Sequence, residues 1–200
     1  MELNDMTVGK KEVYKEIRIS DGEKRTFTIY DDGTLLAKSE LDEPFKTFYL
    51  LSDEIRYSRD IQTKLAACEE SYEILGKFVR AYLKDSPRLP PRILCRDVGV
   101  ELYMRLGQWE KARIAIAKCA AAGAYTDGGS AALEYFKRYQ WAAELALAFL
   151  KKNPGFLQKN IYRALPEADK ECLKSFTRSS YLIRKEPCGK TNQLYCKENL

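Results

Sequence analysis

FLKKNPGFLQKNIYRALPEADKECLKSFTRSSYLIRKEPCGKTNQLYC, residues 149–196, is the stretch on which the reading of this chain turns. A helical run stops at Lys151-Lys152-Asn153-Pro154-Gly155, because proline disfavours helix at the residue before it. Leu157, Ile161 and Leu165 then share one side of a second helix, predicted from Leu157 to Leu165. Pro166 suits the first turn of a third, predicted from Pro166 to Ser179. Two β-prone runs follow, Tyr181-Leu182-Ile183-Arg184-Lys185 and Thr191-Asn192-Gln193-Leu194-Tyr195-Cys196, around a turn at Pro187-Cys188-Gly189. In the third helix Ala168, Cys172, Leu173 and Phe176 cluster on one side and Lys170, Lys174, Thr177 and Arg178 on the other.

Net charge follows the same division. Residues 151–200 carry eight lysines and three arginines against five acids, a surplus of +6; the whole chain carries +5, so residues 1–150 sum to −1. A basic end on a nearly neutral body calls for an anionic partner, and each phosphate neutralised by nucleic acid releases a counterion. A solvated face that serves solubility is the plain alternative. A helix with an apolar back and a basic front is also what major-groove reading requires.

In order and in wording, residues 141–197 resemble the winged helix-turn-helix superfamily. Phe149 to Gly155, followed by Leu157-Gln158 and Ile161-Tyr162, is similar to the way many bacterial regulators of that family join their first two helices. Tyr181-Leu182-Ile183-Arg184 reads like the strand after their recognition helix, and Cys188-Gly189-Lys190 like the tip of the wing. The resemblance implies double-stranded DNA as partner. Lys170, Lys174, Thr177 and Arg178 would then read the groove, while Arg184, Lys185, Lys190 and Asn192 on the wing would touch phosphate or the minor groove. Gln158 and Lys159, opening the second helix, would contact the backbone. One departure stands out: the turn Ala164-Leu165-Pro166-Glu167 has no glycine, and Glu167, Asp169 and Glu171 set acids beside the recognition helix. Those acids favour an alternative in which the winged helix packs against a partner protein, as in scaffold subunits of large eukaryotic complexes. Acids also stabilise a helix N-terminus in their own right.

Upstream the chain reads as helical. Ala132, Leu133, Phe136, Ala143, Leu147 and Leu150 mark a helix over 131–152. Residues 92–122 read as a helical hairpin, with Val98, Leu102, Met104 and Leu106 before Gly107 and Trp109, Ala112, Ile116 and Cys119 after it. The spacing of Tyr103, Gly107, Trp109 and Ala112 resembles a tetratricopeptide-type repeat. A similar phrase runs from Tyr135 to Ala143 around Trp141, with Tyr139 where the glycine belongs. Ser86-Pro87-Arg88-Leu89-Pro90-Pro91 separates this body from an amphipathic helix over 61–84. Residues 1–60 are β-rich: strands are predicted over 13–19, 26–30 and 34–38, with turns at Asp21-Gly22 and Asp31-Asp32-Gly33. Phe45 to Leu51 is a further strand candidate. The expected fold is α+β, mainly α: a β-rich region over 1–60, tetratricopeptide-like hairpins over 61–152, and a winged helix over 153–200 that shares the helix at about 131–152.

The chain has no histidine, which removes Ser-His-Asp, Cys-His and histidine-metal chemistry. It has no GxxxxGK[ST] or GxGxxG loop and no D/E-x-K triplet. The six cysteines show no CxxC spacing and read as buried reduced thiols; Cys188 and Cys196, flanking the hairpin turn, are the one pair expected close together. Turn chemistry accounts for Asp31 and Asp32 better than a metal does. No catalytic residue, metal or cofactor is expected. The sequence shows neither an apolar run of about 18 residues nor a signal-peptide pattern, so no membrane segment and a cytoplasmic, intracellular protein are expected. The expected function is that of a DNA-binding protein, a transcriptional regulator or accessory factor of bacterial or phage type. Its helical body would be available to a protein partner or a homodimer.

Overall fold

The computed structural model describes residues 9–20, 23–33, 35–41 and 43–197, and its fold is α+β, mainly α. The β-branched and aromatic runs near the N-terminus form an antiparallel meander of β1 (Glu12–Ser20), β2 (Glu23–Tyr30) and β3 (Leu35–Leu41). At its second turn Asp31 Oδ1 accepts from the Lys11 backbone N–H at 3.2 Å, and Asp32 pairs with Lys10 at 2.7 Å. Both carboxylates are therefore engaged within the meander. The turn expected at Asp21-Gly22 lies outside the described residues.

Residues 45–51 do not continue the sheet. They open helix α1 (Phe45–Tyr57), whose buried positions Phe45, Phe48, Leu51, Ser52 and Ile55 recur every three or four residues. That stripe lies on α2 (Ile61–Asp85), where Phe48 stacks on Phe78 with ring centroids 3.8 Å apart. Packing on α2 overrides the β preference of Phe, Tyr and Thr. Helix α2 starts at Asp60, whose carboxylate accepts from the Thr63 N–H at 2.7 Å, and it ends before the three prolines.

The expected hairpin follows. A π-helical turn, Cys95–Gly99, leads into α3 (Val100–Arg105), then α4 (Trp109–Ala121) and the long α5 (Ser130–Lys152). The Tyr72 hydroxyl donates to the Cys95 carbonyl at 2.8 Å and ties α2 to this hairpin.

The C-terminal segment departs from the expected boundaries in two places. Phe156 and Leu157 form a short strand, β4 (Phe156–Leu157), paired opposite Leu194 and Gln193. Their backbone groups belong to a sheet, so the second helix shrinks to a 3₁₀ turn, Gln158–Asn160, and α6 (Ile161–Ala164). The third helix, α7 (Lys170–Ser179), starts four residues beyond Pro166 because Asp169 is its N-cap. The Asp169 carboxylate accepts from the Cys172 N–H at 2.9 Å, the bond that serves an otherwise orphaned donor of a first turn. The hairpin of β5 (Ile183–Cys188) and β6 (Thr191–Cys196) closes the fold, in a sheet of order β4-β6-β5.

Pro187 and Cys188 stay within β5, so the reversal falls on Gly189 and Lys190 rather than Pro187-Cys188-Gly189. Cys188 lies opposite Thr191 at the tip, and Cys196 lies opposite Ile183 at the base. Those two cysteines are thus at opposite ends of the hairpin, not the close pair expected. Cys68, Cys95, Cys119 and Cys172 are buried free thiols, and burial pushes Cys68, Cys119 and Cys172 up to about 12.

Buried residues from Phe45 to Leu194 make one continuous core. Tyr139 of α5 joins Trp109 of α4 to Phe176 of α7, with centroids 6.3 and 6.0 Å away in edge-on geometry. At the end of α3, the Arg105 carbonyl accepts from Ser180 Oγ at 3.2 Å and from the Tyr181 N–H at 3.0 Å. The segment after α7 is therefore docked on the helical hairpin. Among the described residues no helix is long and apolar enough to cross a membrane.

Candidate nucleic-acid interface

The exposed cations nearest the third helix lie on α7 itself and on the segment that carries Lys159 and Arg163. Lys170, Lys174 and Arg178 recur at four-residue spacing and are all exposed, so they form one strip along the outer side of α7. Glu171 shares that exposed side. The inner side of α7 buries Cys172, Leu173 and Phe176, as the apolar arc predicts.

Thr177 does not belong to the outer strip. Its side chain is 0% exposed, and its Oγ1 donates to the Lys174 carbonyl at 3.3 Å. It sits at the edge of the apolar arc, where the segment before α6 closes over it: Gln158 Nε2 donates to the Thr177 carbonyl at 3.4 Å. Gln158 Oε1 in turn accepts from Asn192 Nδ2 at 2.9 Å. Gln158, Thr177 and Asn192 thus form a string that fastens the 3₁₀ turn, α7 and β6 together. The sequence places Gln158 and Thr177 on DNA, whereas their hydrogen bonds are spent within the fold.

Three of the residues expected on the wing also have internal partners. Arg184 pairs with Glu186 at 3.2 Å and lies 4.8 Å over the Tyr195 ring. Lys185 is half-buried and its Nζ donates to the Arg178 carbonyl at the end of α7; burial, and then the Arg178 charge, hold its ammonium below the usual lysine range. Asn192 is the partner of Gln158 already described. Lys190 projects at the hairpin tip, exposed.

Between α6 and α7 lies a recess of about 410 Å³ lined by Lys159, Tyr162, Arg163, Pro166 and Lys170, with Leu165, Ala168 and Leu173 at its base. Three cations converge there and no acid lines it. Arg163 is a functional candidate that the sequence-based set lacks. Its signal is present in the sequence, since it follows Lys159 by one helical turn. Phosphate suits such a recess, because lysine and arginine donors meet its oxygens and no acid is among the lining residues, although Glu167 and Glu171 are exposed beside it.

Three acids adjoin the lining residues in sequence, Glu167, Asp169 and Glu171, and one of them, Asp169, is engaged within the fold. Asp169 accepts from the Cys172 N–H, which holds its carboxyl below the usual carboxylate range, and it also meets Arg138 at 3.1 Å. Replacing Asp169 with Ala should remove the cap and cost about 1 kcal/mol, a fall of about 2–4 °C in Tm for a chain of this size. The carboxyl is depressed from its ordinary 3.8, so its contribution is full above that pH and fades as pH falls through the lower folded value. Thermal melts of wild type and Asp169→Ala should therefore differ at neutral pH and converge in acid.

The described residues contain no group of three or more side chains fit to hold a metal ion. No protein-family model matches the chain, and no curated protein or solved structure does.

Proposed function

We propose that residues 130–197 act as a winged helix-turn-helix that binds duplex DNA, with α5, α6 and α7 as its helices and the β5–β6 hairpin as its wing. The observation that carries the reading is the convergence of Lys159, Arg163 and Lys170 on one acid-free recess. Lys170 also begins the exposed strip that continues through Lys174 and Arg178, so recess and strip form one surface along α7. The strand order β4-β6-β5, with β4 between α5 and α6, supports the same reading. Lys170, Lys174 and Arg178 line the groove and neutralise phosphates at its edge, Lys159 and Arg163 hold phosphate beside it, and Lys190 reaches the backbone from the wing. Gln158, Thr177 and Asn192 keep these parts in register. A transcriptional regulator or accessory factor working inside the cell fits this surface.

Fluorescence anisotropy of the full chain with labelled random duplex, titrated across salt, tests the reading. Five or six phosphate contacts should give a slope of log K against log salt of about −5, since each contact contributes about −0.9. Absence of binding at low salt would remove duplex DNA as the partner. The assembly reading would then stand, supported by Trp141 of α5 and Ile114 of α4, 55% and 43% exposed on the helical body. Large exposed aromatic side chains are favoured anchors for protein partners. Trp141→Ala should lower the sedimentation coefficient if that surface pairs two copies of the chain.

A further inference from the structure

A second cavity, of about 310 Å³, opens where α3, α5 and α7 meet. Its size is at the lower end of the range for small-molecule sites, roughly 300–1,000 Å³. The apolar wall consists of Met104, Ala132 and the rings of Tyr125, Tyr135 and Tyr139. Its four ions come as two internal pairs: Arg96 with Asp97 at 2.7 Å and Arg105 with Glu101 at 2.5 Å. The lining is thus close to neutral and rich in flat π-surface.

Tyr139 and Arg105, two residues of this lining, each hold a buried polar atom without a hydrogen-bond partner, the Tyr139 hydroxyl and Arg105 Nε. Tyr139 is only 2% exposed. Unpaired buried polar atoms are rare in folded proteins, and two on residues that line one cavity call for a reason. Burial pushes the Tyr139 hydroxyl up, so it stays protonated, and the cavity-lining Tyr135, Arg105 and Glu101 act on it in lesser degree. Arg105 Nε–H donates only. Both atoms therefore want an acceptor, and the paired ions around them favour a neutral or singly charged one.

We propose that this cavity binds a small planar aromatic molecule carrying an oxygen acceptor, a carbonyl or a carboxylate, that accepts from the Tyr139 hydroxyl and Arg105 Nε. The ring lies among Tyr125, Tyr135 and Met104, where stacking and sulfur–aromatic contacts hold it. Ser175 of α7 also lines the cavity, and the Arg105 carbonyl accepts from Ser180 and Tyr181 just beyond α7. An occupant consequently touches the helix assigned to the groove. An effect on DNA rests on the DNA reading above; binding itself does not.

Benzamide and benzoate are the probes, one neutral and one anionic, tested on the full chain by saturation-transfer NMR up to roughly 10 mM. At least one should bind in the millimolar range, and which one binds tells carbonyl from carboxylate recognition. Tyr139→Phe removes only the hydroxyl. It should weaken the bound probe about three- to tenfold, the weight of one hydrogen bond. It should also leave the Tm of the free protein unchanged or higher, because no internal bond is lost. Ala132→Trp fills the cavity and should abolish binding. If neither probe binds, the proposal is overturned, as it is by unchanged binding in Tyr139→Phe. A Tm lowered by Tyr139→Phe would also overturn it, by showing that the hydroxyl already has a partner in the fold. Failure of the duplex titration leaves these fragment measurements intact, so the two readings fail separately.

Discussion

The double variant Lys174→Glu with Arg178→Glu is expected to lose about a hundredfold in duplex affinity at roughly 0.1 M salt. Each phosphate contact contributes about 0.9 to the salt slope, which at this salt concentration is near a factor of ten in affinity. Two lost contacts should also flatten the slope by about 1.8. The flattening separates contact from bulk charge. Lys77→Glu with Lys84→Glu, on exposed positions of α2, changes net charge by the same amount away from the site. That control should leave the slope unchanged and lower affinity only slightly. Neither Lys174 nor Arg178 takes part in the core, so near-wild-type Tm is expected for the site variant. Equal affinity for variant and wild type would mean that the outer face of α7 is not the contact surface. An equal loss in both double variants would mean that only net charge matters.

Much of the frame behind this test is legible in the amino-acid order alone. The density of Val, Ile, Thr, Tyr and Phe over 12–30 marks the first two strands, and the 3.6-residue spacing marks α2 and α5. The split of α7 into apolar and basic sides is legible because it is a local, periodic property. What escapes is whatever depends on a distant partner. Phe45 to Leu51 is too short to show its period and rich in β-formers, and it is Phe78 on another helix that makes it helical. Phe156 and Leu157 look like the start of a helix until Leu194 and Gln193 take their backbone groups. Thr177 falls beside Lys170 in helical projection, yet Gln158, 19 residues earlier, covers it. Arg163 is visible as a basic residue, but the recess that gives it meaning exists only once α6 and α7 meet. Asp169 is the exception, a local signal. An Asp three residues before the first buried position is an ordinary helix start, and it outweighs the preference of Pro166 for a first turn.

Replacing Gly107 with alanine is expected to destabilise the fold more than the same change at Gly189. Gly107 turns α3 into α4 at φ 71°, a left-handed conformation that costs an L-residue about 1 kcal/mol. An added Cβ would also stand 2.8 Å from Leu182 Cδ1, closer than packed carbons allow. Relief of that contact requires Leu182 to move. The atom met is the end of the Leu182 side chain, so a rotation relieves part of the contact. The Leu182 backbone stays fixed by Ser180 Oγ, which accepts from its N–H at 3.1 Å, and by the Lys197 N–H, which donates to its carbonyl at 2.9 Å. The two costs together come to about 1–2 kcal/mol, or about 2–8 °C in Tm. Gly189 provides the comparison. It too is left-handed, at φ 59°, but nothing lies within 4 Å of an added Cβ. Gly189→Ala should therefore show the conformational cost alone, about 2–4 °C. If the two alanine variants melt alike, Leu182 does not press on the α3–α4 turn, and the C-terminal segment is docked less closely on the hairpin. If Gly107→Ala melts clearly lower, the hairpin and the C-terminal segment proposed to face DNA share one packing unit. Strain introduced at the α3–α4 turn should then also lower duplex affinity, although Gly107 lies outside the basic surface.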